Sequence, residues 1–357
     1  MKAAVCYEFG KPLVIEDINI DPPGKGQVKV RLAATAVCHS DIHAIRGELP
    51  GETPIVAGHE SSGYIEEVGE GVKGVKAGDP VVVSLITSCG ECYYCRIGLP
   101  HLCETQFPGT PLSNKKGQRL SNFVRVASFA EYTVVDRSQV VKIPENMPMD
   151  RAALLACGVI TGFGSVVSRA QVKALSSVVV IGTGGVGLNS IQGAAFAGAY
   201  PVIAVDVLDT KLEAAKKFGA THTVNARETD PIEAVKKLTA GRGADYVFVT
   251  VGNAAAVQQG VRMTGKRGST VIVGLPPAKD LITFSPFEFI GTEKILTGSM
   301  MGSTNLQVHI PQLVALYQAG KLKLDELITA HFTLDQINEA IEAVEQGKAL
   351  RNIIMFK

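Results

Sequence analysis

In the first 150 residues, short apolar runs alternate with polar positions and are separated by Gly, Pro and Asp. Alternation with a period of two, bounded by turn-forming residues, is typical of β-strands. We expect strands at 27–37, 63–72, 79–85 and 131–136. The amino-terminal part of the chain is therefore predicted to be mainly β.

From residue 176 the pattern changes to apolar runs that alternate with helical segments. Helices are predicted from Val186, over 210–218 and near Pro231, with Asp209 and Asp230 as N-caps. Six strands are predicted, at 177–182, 201–206, 221–224, 245–250, 270–274 and 294–298. Six strands with intervening helices predict a doubly wound parallel sheet. The tail carries two amphipathic helical patterns, 307–319 and 334–346.

The stretch from Ala174 to Val205 contains no charged residue, so by hydropathy it resembles a membrane span. It is interrupted by six glycines and by Asn189, Gln192 and Pro201. This composition favours a buried strand, turn, helix and strand over a span. We therefore expect no membrane partner.

Composition limits the class of protein. The 357 residues suffice for two domains of roughly 150 residues each. Hydrophobic residues make up 46% of the chain, and 35 basic side chains nearly cancel 34 acidic ones, which argues against disorder and against a nucleic-acid partner. Glu8 and Lys11 interrupt the first apolar residues, so no secretory signal is expected and the predicted location is the cytoplasm.

A glycine-rich turn follows the first strand of the β-α region. Its residues are Gly182, Thr183, Gly184, Gly185, Val186 and Gly187, the G-x-G-x-x-G pattern of dinucleotide-binding turns. Asp206 ends the next strand, about 20 residues on, where a carboxylate would bind ribose hydroxyls and repel a 2′-phosphate. The pattern favours NAD over NADP. Lys211 is either a phosphate contact or an ordinary helix-surface lysine, and a glycine turn without a ligand is the alternative for the whole motif.

Four of the seven cysteines, Cys89, Cys92, Cys95 and Cys103, lie within 15 residues of one another. Four thiolates suit a tetrahedral zinc ion that has no open coordination position and stabilises the local fold. An iron–sulfur cluster and disulfides are the alternatives. Ferredoxin sequences place the fourth cysteine closer to the third than the gap of seven seen here, and a reducing cytoplasm disfavours disulfides.

The other cysteines are Cys6, Cys38 and Cys157. Cys38 opens the run Cys-His-Ser-Asp-Ile-His, and a Gly-His-Glu block begins at Gly58. Taken singly, each piece has an ordinary structural explanation, such as a buried cysteine or a hydrogen-bonded core histidine.

Taken in order, the motifs resemble the zinc-containing alcohol dehydrogenases of the medium-chain dehydrogenase/reductase superfamily nearly end to end. The matching motifs are C-H-S-D-x-H at 38–43, the block 58–69, the four-cysteine lobe, Cys157-Gly158, the glycine-rich turn and Leu350-Arg351. The resemblance implies an α/β protein with two domains. A mainly-β GroES-like catalytic domain would span 1–157 and 300–357 with a structural-zinc lobe at 87–105, and a doubly wound (Rossmann) cofactor domain would span 158–299.

The resemblance also assigns roles around a second, catalytic zinc. Cys38, His59 and Cys157 would ligate it, with Glu60 as a further ligand during exchange. Asp41 would orient the ligating histidine. Ser40 and His43 would pass the alcohol proton to solvent. The chain would thus hold two zinc ions.

Cofactor and substrate residues follow from the same resemblance. His39 and Arg351 would contact the pyrophosphate, and Thr161 and Val273 the nicotinamide. An apolar pocket for a primary or secondary alcohol with an aliphatic or aromatic body would be formed by Leu49, Leu85, Phe129, Leu275 and Met300. The family implies a homodimer or homotetramer.

Two other functions stay open at this point. One is a nicotinoprotein, an alcohol dehydrogenase that keeps NAD bound and recycles it with a second substrate. The other is a non-catalytic NAD-binding redox sensor. A sensor has no use for Cys38, His59, Cys157 and a proton relay together, which disfavours it.

Overall fold

The computed structural model describes residues 1–277 and 279–357, which divide into two units. The first unit comprises Met1–Cys157 and Asn305–Lys357, and the second comprises Gly158–Thr304. Residues 300–304, expected with the first domain, thus belong to the second unit. The reason is close packing, since a Cβ on Gly302 would lie 2.2 Å from the carbonyl oxygen of Ile160.

The strands and helices are numbered here in chain order. The strands are β1 (Lys2–Cys6), β2 (Val14–Ile20), β3 (Gln27–Ala36), β4 (Ile55–Val56), β5 (Glu60–Val68), β6 (Pro80–Val83), β7 (Leu112–Asn114), β8 (Ser121–Asn122), β9 (Tyr132–Asp136), β10 (Val140–Lys142), β11 (Val178–Ile181), β12 (Val202–Asp206), β13 (His222–Asn225), β14 (Ala244–Val249), β15 (Thr264–Ile272), β16 (Ile295–Gly298), β17 (Ile328–Phe332) and β18 (Arg351–Met355). The α-helices are α1 (His39–Ile45), α2 (Tyr93–Arg96), α3 (Met149–Leu154), α4 (Ile160–Gly164), α5 (Gly185–Phe196), α6 (Asp209–Lys217), α7 (Pro231–Leu238), α8 (Ala254–Met263), α9 (Pro286–Thr292), α10 (Leu306–Gln318) and α11 (Ile337–Glu345).

The first unit contains two sheets, and one of them positions the segments around Cys38 and His59. One sheet has the order β7-β2-β1-β4-β8, and the other has the order β10-β6-β5-β3-β18-β17 with β9 also paired to β3. Along β3 every second side chain is buried, including Val28, Val30 and Leu32, as its alternating sequence predicts. Strand β5 begins directly after His59, and α1 begins directly after Cys38.

The second unit is built on one parallel sheet of order β13-β12-β11-β14-β15-β16. This is the doubly wound order, in which ligands bind beyond the carboxyl ends of the strands. All six predicted strands are present, and the predicted fold class is confirmed.

Two helix N-caps were predicted in this sheet domain. Asp230 caps α7, since its side chain accepts hydrogen bonds from the amides of Ile232 and Glu233. The prediction for Asp209 was wrong, because α6 begins at that residue and Leu208 is the N-cap. The Asp209 carboxylate instead accepts a hydrogen bond from Asn225 at 2.8 Å.

The uncharged stretch 174–205 forms β11, α5 and most of β12, as the glycine and polar interruptions predicted. A different run, Met149–Arg169, is long and apolar enough to cross a membrane by composition alone. Its most apolar window is 83% buried within the protein, as expected of a core helix.

Candidate active site and metal centres

Asp41 joins two separate segments of the first unit. Its Oδ2 accepts a hydrogen bond from the amide of Cys38 at 3.0 Å. Its Oδ1 accepts from the amide of Gly58 at 2.9 Å and pairs with Nδ1 of His59 at 2.8 Å. The carboxylate is fully buried, so these contacts fix the His59 ring and leave Nε2 as the nitrogen directed away from Asp41.

Gly58 makes this approach possible. Its φ is +91°, in the left-handed region, and a Cβ there would lie 2.5 Å from the amide nitrogen of Phe129. No other residue type fits this position without displacing the neighbouring chain.

Three further buried side chains converge beside His59. The ligand atoms of Cys38, His59, Glu60 and Cys157 all lie within 4.8 Å of one another. Cys157 lies in a π-helical turn, Leu155–Val159, a local helix distortion often found at functional sites. Nε2 of His59 is buried and has no hydrogen-bond partner among the described residues. A buried nitrogen in this state beside two sulfurs fits a zinc ion held by Cys38, His59 and Cys157.

The two thiols influence each other strongly. Cys157 donates a hydrogen bond to Cys38, and with help from His59 this holds the pKa of Cys38 well below its ordinary value despite burial. The same hydrogen bond and burial raise the pKa of Cys157. Burial opposes a charged His59, but Asp41 and the Cys38 sulfur outweigh it and raise the pKa of the imidazole. Cys38 is therefore favoured as a thiolate beside a positively charged His59, and Cys157 is favoured as the neutral thiol that donates to it.

Arg351, at the start of β18, lies inside this cluster. It is 5% exposed, and its Nη2 donates a hydrogen bond to Oε2 of Glu60. Burial raises the pKa of Glu60 to about 7, although Arg351 opposes the shift. Arg351 is therefore the counter-ion of Glu60, and its contact with the cofactor pyrophosphate stays a prediction. Oε1 of Glu60 has no hydrogen-bond partner in the described residues and stays available as a further ligand atom.

Helix α1 carries the predicted proton relay. Ser40 is half-buried in its first turn, and the exposed His39 precedes it. His43 is also half-buried, and its Nδ1 pairs with the carboxylate of Glu48. Sequence reasoning missed Glu48, although its position five residues beyond His43 could have suggested a contact across the end of the helix.

The four remaining predicted metal ligands form a second cluster in the first unit. The sulfurs of Cys89, Cys92, Cys95 and Cys103 lie within 4.8 Å of one another, with Sγ–Sγ distances of 4.0 Å for Cys89–Cys95 and 3.9 Å for Cys92–Cys103. Sulfurs around one zinc ion at about 2.3 Å would be about 3.8 Å apart. These distances exclude a disulfide, with its S–S bond of about 2.05 Å, and leave no room for several iron ions.

Hydrogen bonds support the metal-binding form of Cys89. Thr105 donates to its sulfur, as do the backbone amides of Glu91 and Cys92, and together they lower the pKa of Cys89 to about 6. The thiolate, which is the form that binds a metal, is therefore favoured at neutral pH.

In the second unit, the glycine-rich turn connects β11 to α5. Gly182 has a φ of +87°, and a Cβ on Gly187 would lie 1.9 Å from the carbonyl oxygen of Gly182. Gly184 is the N-cap of α5, and no atom lies within 4 Å of where its Cβ would be. Gly185 and Val186 form the first turn of the helix. Free helix amides next to open space suit a pyrophosphate.

Asp206 lies beside this turn, as its spacing predicted. Its Oδ2 accepts from the amide and hydroxyl of Thr183 at 2.7 and 2.9 Å, and its Oδ1 accepts from the amides of Val207 and Leu208 at 2.7 and 3.1 Å. A ribose would have to replace part of this set. Lys211 is half-buried on the next helix.

The predicted nicotinamide contacts also lie in the second unit. Thr161 is buried in α4, with its hydroxyl 3.5 Å from the sulfur of Met301. Val273 directly follows β15, and its amide donates to the carbonyl of Val249 at 2.9 Å.

The predicted substrate pocket residues differ in burial and in the unit to which they belong. Leu49 and Leu85 are half-buried at the margins of the first unit's cores. Phe129 has no exposed surface and is a core residue. Leu275 and Met300 are 52% exposed in the second unit. Their shared role in substrate binding stays a prediction.

Phe123 was overlooked. Its ring meets the His59 imidazole edge-on, with centroids 5.7 Å apart and planes at 79°. It lies six residues before Phe129 in the same segment, and the substrate role of Phe129 stays a prediction.

Comparison with known proteins agrees with this geometry. Residues 24–145 match the alcohol dehydrogenase GroES-like domain, and residues 185–319 match the zinc-binding dehydrogenase family. An NDMA-dependent alcohol dehydrogenase from Amycolatopsis methanolica is 39% identical, over 99% of this chain and 98% of that protein. The chain belongs to the zinc-binding alcohol dehydrogenases of the medium-chain dehydrogenase/reductase superfamily.

Solved structures of other family members have the same fold as this alcohol dehydrogenase. An alcohol dehydrogenase zinc-binding domain protein from Burkholderia ambifaria superposes with a TM-score of 0.95 at 33% identity, covering 100% of this chain and 98% of that one. Benzyl alcohol dehydrogenase from Acinetobacter calcoaceticus superposes with a TM-score of 0.93 at 32% identity, covering 100% and 99%. The GroES-like fold predicted for the first part of the chain is confirmed.

Membership of this family settles one alternative. The redox sensor would need only the dinucleotide turn, whereas this alcohol dehydrogenase also has the buried cluster around His59 and the four-cysteine lobe. Both clusters offer ligand sets that suit zinc, as expected in a zinc-binding family.

Proposed function

We propose that this alcohol dehydrogenase oxidises primary and secondary alcohols reversibly to aldehydes and ketones, with NAD as the hydride acceptor. The observation that carries the proposal is the buried set of Cys38, His59 and Cys157, in which Asp41 holds His59 with Nε2 unpartnered among the described residues. Two thiolates and one imidazole leave one position of a tetrahedral zinc ion open for a substrate.

The protein's own residues would hold the zinc ion, orient the ligating imidazole and accept the proton of the alcohol. Zinc bound by Cys38, His59 and Cys157 would act as a Lewis acid on the alcohol oxygen. Asp41 keeps the imidazole in the tautomer that presents Nε2. His43, paired with Glu48 and half-exposed, is suited to receive the alcohol proton through Ser40 and release it to solvent.

NAD is the proposed cofactor because of the second unit's turn. Gly184 leaves open space for the pyrophosphate, and the Asp206 carboxylate would repel the extra phosphate of NADP. Replacing Asp206 by Gly is expected to relax the preference for NAD, measured as the ratio of kcat/KM with the two cofactors.

The proposed substrates have aliphatic or aromatic bodies. Leu49 and Leu85 are apolar and half-buried, and the aromatic ring of Phe123 lies against the ligating histidine. A relative of this chain at 32% identity is a benzyl alcohol dehydrogenase. Apolar walls discriminate poorly between neighbouring chain lengths, so broad specificity is expected.

The decisive experiment joins metal analysis to an alcohol screen followed by NADH absorbance. We expect two zinc ions per chain, and we expect Cys157→Ser to lose one zinc and nearly all turnover. Cys6→Ser is the matched control, because Cys6 is also buried but, among the described residues, hydrogen-bonds only to the carbonyls of Glu8 and Ile45. Full activity in Cys157→Ser, or a faster rate with polyols than with benzyl alcohol and hexanol, would overturn the proposal.

A second candidate function has one observation in its favour. A relative at 39% identity is named as NDMA-dependent, and a nicotinoprotein would use the same ligands while retaining NAD. Desalting the protein distinguishes an enzyme that releases NAD from a nicotinoprotein that retains it. If NAD remains with the protein and NDMA supports turnover without added NAD, the nicotinoprotein function holds.

We also propose that the enzyme is a cytoplasmic homodimer or homotetramer. The second unit exposes Leu281, Phe287 and Ile290 by 79% to 89%, which is costly for an isolated subunit. Light scattering would measure the subunit number.

A further inference from the structure

An open cavity of about 490 Å³ lies in the second unit, away from the glycine-rich turn. It is lined by residues just before or at the starts of β14, β15 and β16 and by parts of α7, α8 and α9. The dinucleotide turn follows the carboxyl end of β11 in the same parallel sheet. The cavity therefore lies at the amino ends of the parallel strands, whereas the proposed NAD site lies at their carboxyl ends. The proposed NAD site does not account for this cavity.

The walls of the cavity are polar and carry more positive than negative charge. Five cations line it, Lys236, Arg242, Arg262, Lys266 and Lys294, against three carboxylates. Among the aliphatic and aromatic side chains only Ile232 contributes to the lining. Such walls do not suit an apolar ligand, whose binding depends on buried apolar surface.

All three carboxylates are already engaged. Asp230 caps α7 through the amides of Ile232 and Glu233. Glu233 pairs with Lys236 at 3.0 Å, and Glu288 pairs with Lys294 at 3.1 Å. The acidic groups therefore neutralise two of the five cations and leave the others.

The remaining cations are Arg242, Arg262 and Lys266. None of them forms an ion pair within the described part of the chain, and all three side chains are exposed. Arg242 makes one long contact, from Nε to the carbonyl of Thr239 at 3.5 Å. Their donors are thus available to a ligand.

Two features make this a formed site and not only a charged surface. The Lys294 side chain is 8% exposed, and its ammonium uses two of its three donors, on the carbonyl of Val261 and on Glu288. Gly243 and Gly265 allow the segment before β14 to approach the start of β15 closely, because a Cβ on Gly243 would lie 2.8 Å from the amide nitrogen of Gly265. Arg242, next to Gly243, and Lys266, next to Gly265, therefore lie on adjoining segments.

We propose that this cavity binds a small phosphate-bearing anion with at least two negative charges. Guanidinium groups bind phosphate oxygens through paired hydrogen bonds, which suits Arg242 and Arg262, and the lysines add charge. Its lining shares no residue with the cluster around His59 or with the glycine-rich turn, so its occupation does not depend on the proposed reaction.

The test is titration calorimetry with inorganic pyrophosphate at fixed ionic strength, because salt screens exposed charges. The full-length protein is first saturated with NAD, so that pyrophosphate cannot occupy the turn at Gly184. We expect one pyrophosphate per chain, and we expect the triple variant Arg242→Gln, Arg262→Gln, Lys266→Gln to bind about tenfold more weakly or worse.

Arg267→Gln is the matched control. Arg267 is adjacent to Lys266 in β15 but does not line the cavity and pairs with Glu293 at 3.3 Å. The control should bind pyrophosphate within about twofold of the unchanged protein, since only the nearby field is altered. An unchanged melting temperature in the triple variant would show that the exposed substitutions leave the fold intact.

Three results would each overturn the proposal. One is equal affinity in the unchanged protein and the triple variant. Another is the absence of pyrophosphate binding once NAD is present. The third is an equal loss in Arg267→Gln, because it would mean that the surface attracts anions diffusely without a site.

Discussion

At the scale of single residues, Asp41 couples the backbone at Cys38 to the orientation of His59. One oxygen serves Cys38, and the other serves both Gly58 and His59. Since all three donors approach a carboxylate that is fully buried, no water can substitute for it. The position of two proposed zinc ligands thus depends on a residue that is itself not a ligand.

This arrangement gives a prediction for Asp41→Asn. An amide keeps the shape but replaces one acceptor oxygen with a donor, so one of the three hydrogen bonds is lost. Loss of such a supporting contact typically weakens metal binding about 10- to 100-fold, and we expect this for one of the two zinc ions. Competition with a chromogenic chelator measures it.

The control for Asp41→Asn is Asp245→Asn. Asp245 also accepts two hydrogen bonds through one oxygen, from the amide and hydroxyl of Ser177, but it lies in the second unit. It should retain both zinc ions with unchanged affinity. Unaltered zinc binding in Asp41→Asn would show that Asp41 does not position the site.

The residues that sequence could identify are those whose partners are near in the chain. The four cysteines between 89 and 103 were assigned from spacing alone, because a short lobe has few ways to arrange four sulfurs. Cys38, His59 and Cys157 required a family resemblance, since nothing local brings them together. The pairing of Arg351 with Glu60 spans 291 residues, and no spacing rule predicts such a contact.

At the scale of secondary structure elements, a salt bridge connects the ends of two paired strands. Asp79 precedes β6, and Lys142 ends β10, which pairs antiparallel with β6. Lys142 Nζ lies 2.6 Å from Asp79 Oδ1, and the amide of Lys76 donates to Oδ2 at 2.9 Å. The hydrogen bond from Lys142 holds the pKa of Asp79 below its ordinary value of 3.8, although desolvation opposes it.

A pH dependence of stability follows from this shift. Because the pKa of Asp79 is lower in the folded state, its stabilisation is present above about pH 4 and is lost as the pH falls further. We expect Asp79→Asn to reduce the free energy of unfolding by about 0.5 to 1 kcal/mol at pH 7, since Lys142 is half-exposed and solvent screens the pair. Urea midpoints measured at pH 7 and at about pH 3 give the difference.

Lys142→Met provides the control for this pair. It should reduce the free energy of unfolding by about as much as Asp79→Asn. The double variant should reduce it by less than the sum of the two single changes. A loss in Asp79→Asn of the same size at both pH values would mean that the charge of Asp79 contributes nothing.

Strands and helices could be predicted where the sequence shows one clear hydrophobic pattern. The buried parallel strands of the second unit consist of continuous apolar runs between helices, so all six were found. Strand β1 has four consecutive buried residues, from Ala3 to Cys6, and lacks the alternation that reveals a strand with one exposed face. The N-cap predicted for α6 was wrong for a different reason. Asn225 donates a hydrogen bond to Asp209, and only the tertiary fold brings these two residues together.

At the scale of the whole molecule, the nearly neutral net charge of +1 conceals local differences. The cavity at the amino ends of β14 to β16 has an excess of cations, and the cluster around His59 has sulfur and carboxylate ligands. Composition, as an average, argues against a polyanionic nucleic-acid partner. An average has no information about which residues the fold places together, so it could not indicate a small anion site.

The division into two units has a measurable consequence, because the glycine-rich turn and the four-cysteine lobe belong to different units. NAD bound at the turn Gly182–Gly187 would stabilise the second unit by about 2.7 kcal/mol at a concentration 100 times its dissociation constant. We therefore expect NAD to slow amide hydrogen exchange most strongly in β11, α5 and β12, and a zinc chelator to speed it at 87–105. NADP at the same concentration should protect less, because the Asp206 carboxylate repels its additional phosphate. Absence of NAD protection between residues 178 and 206 would place the cofactor elsewhere and refute the assignment of the glycine-rich turn.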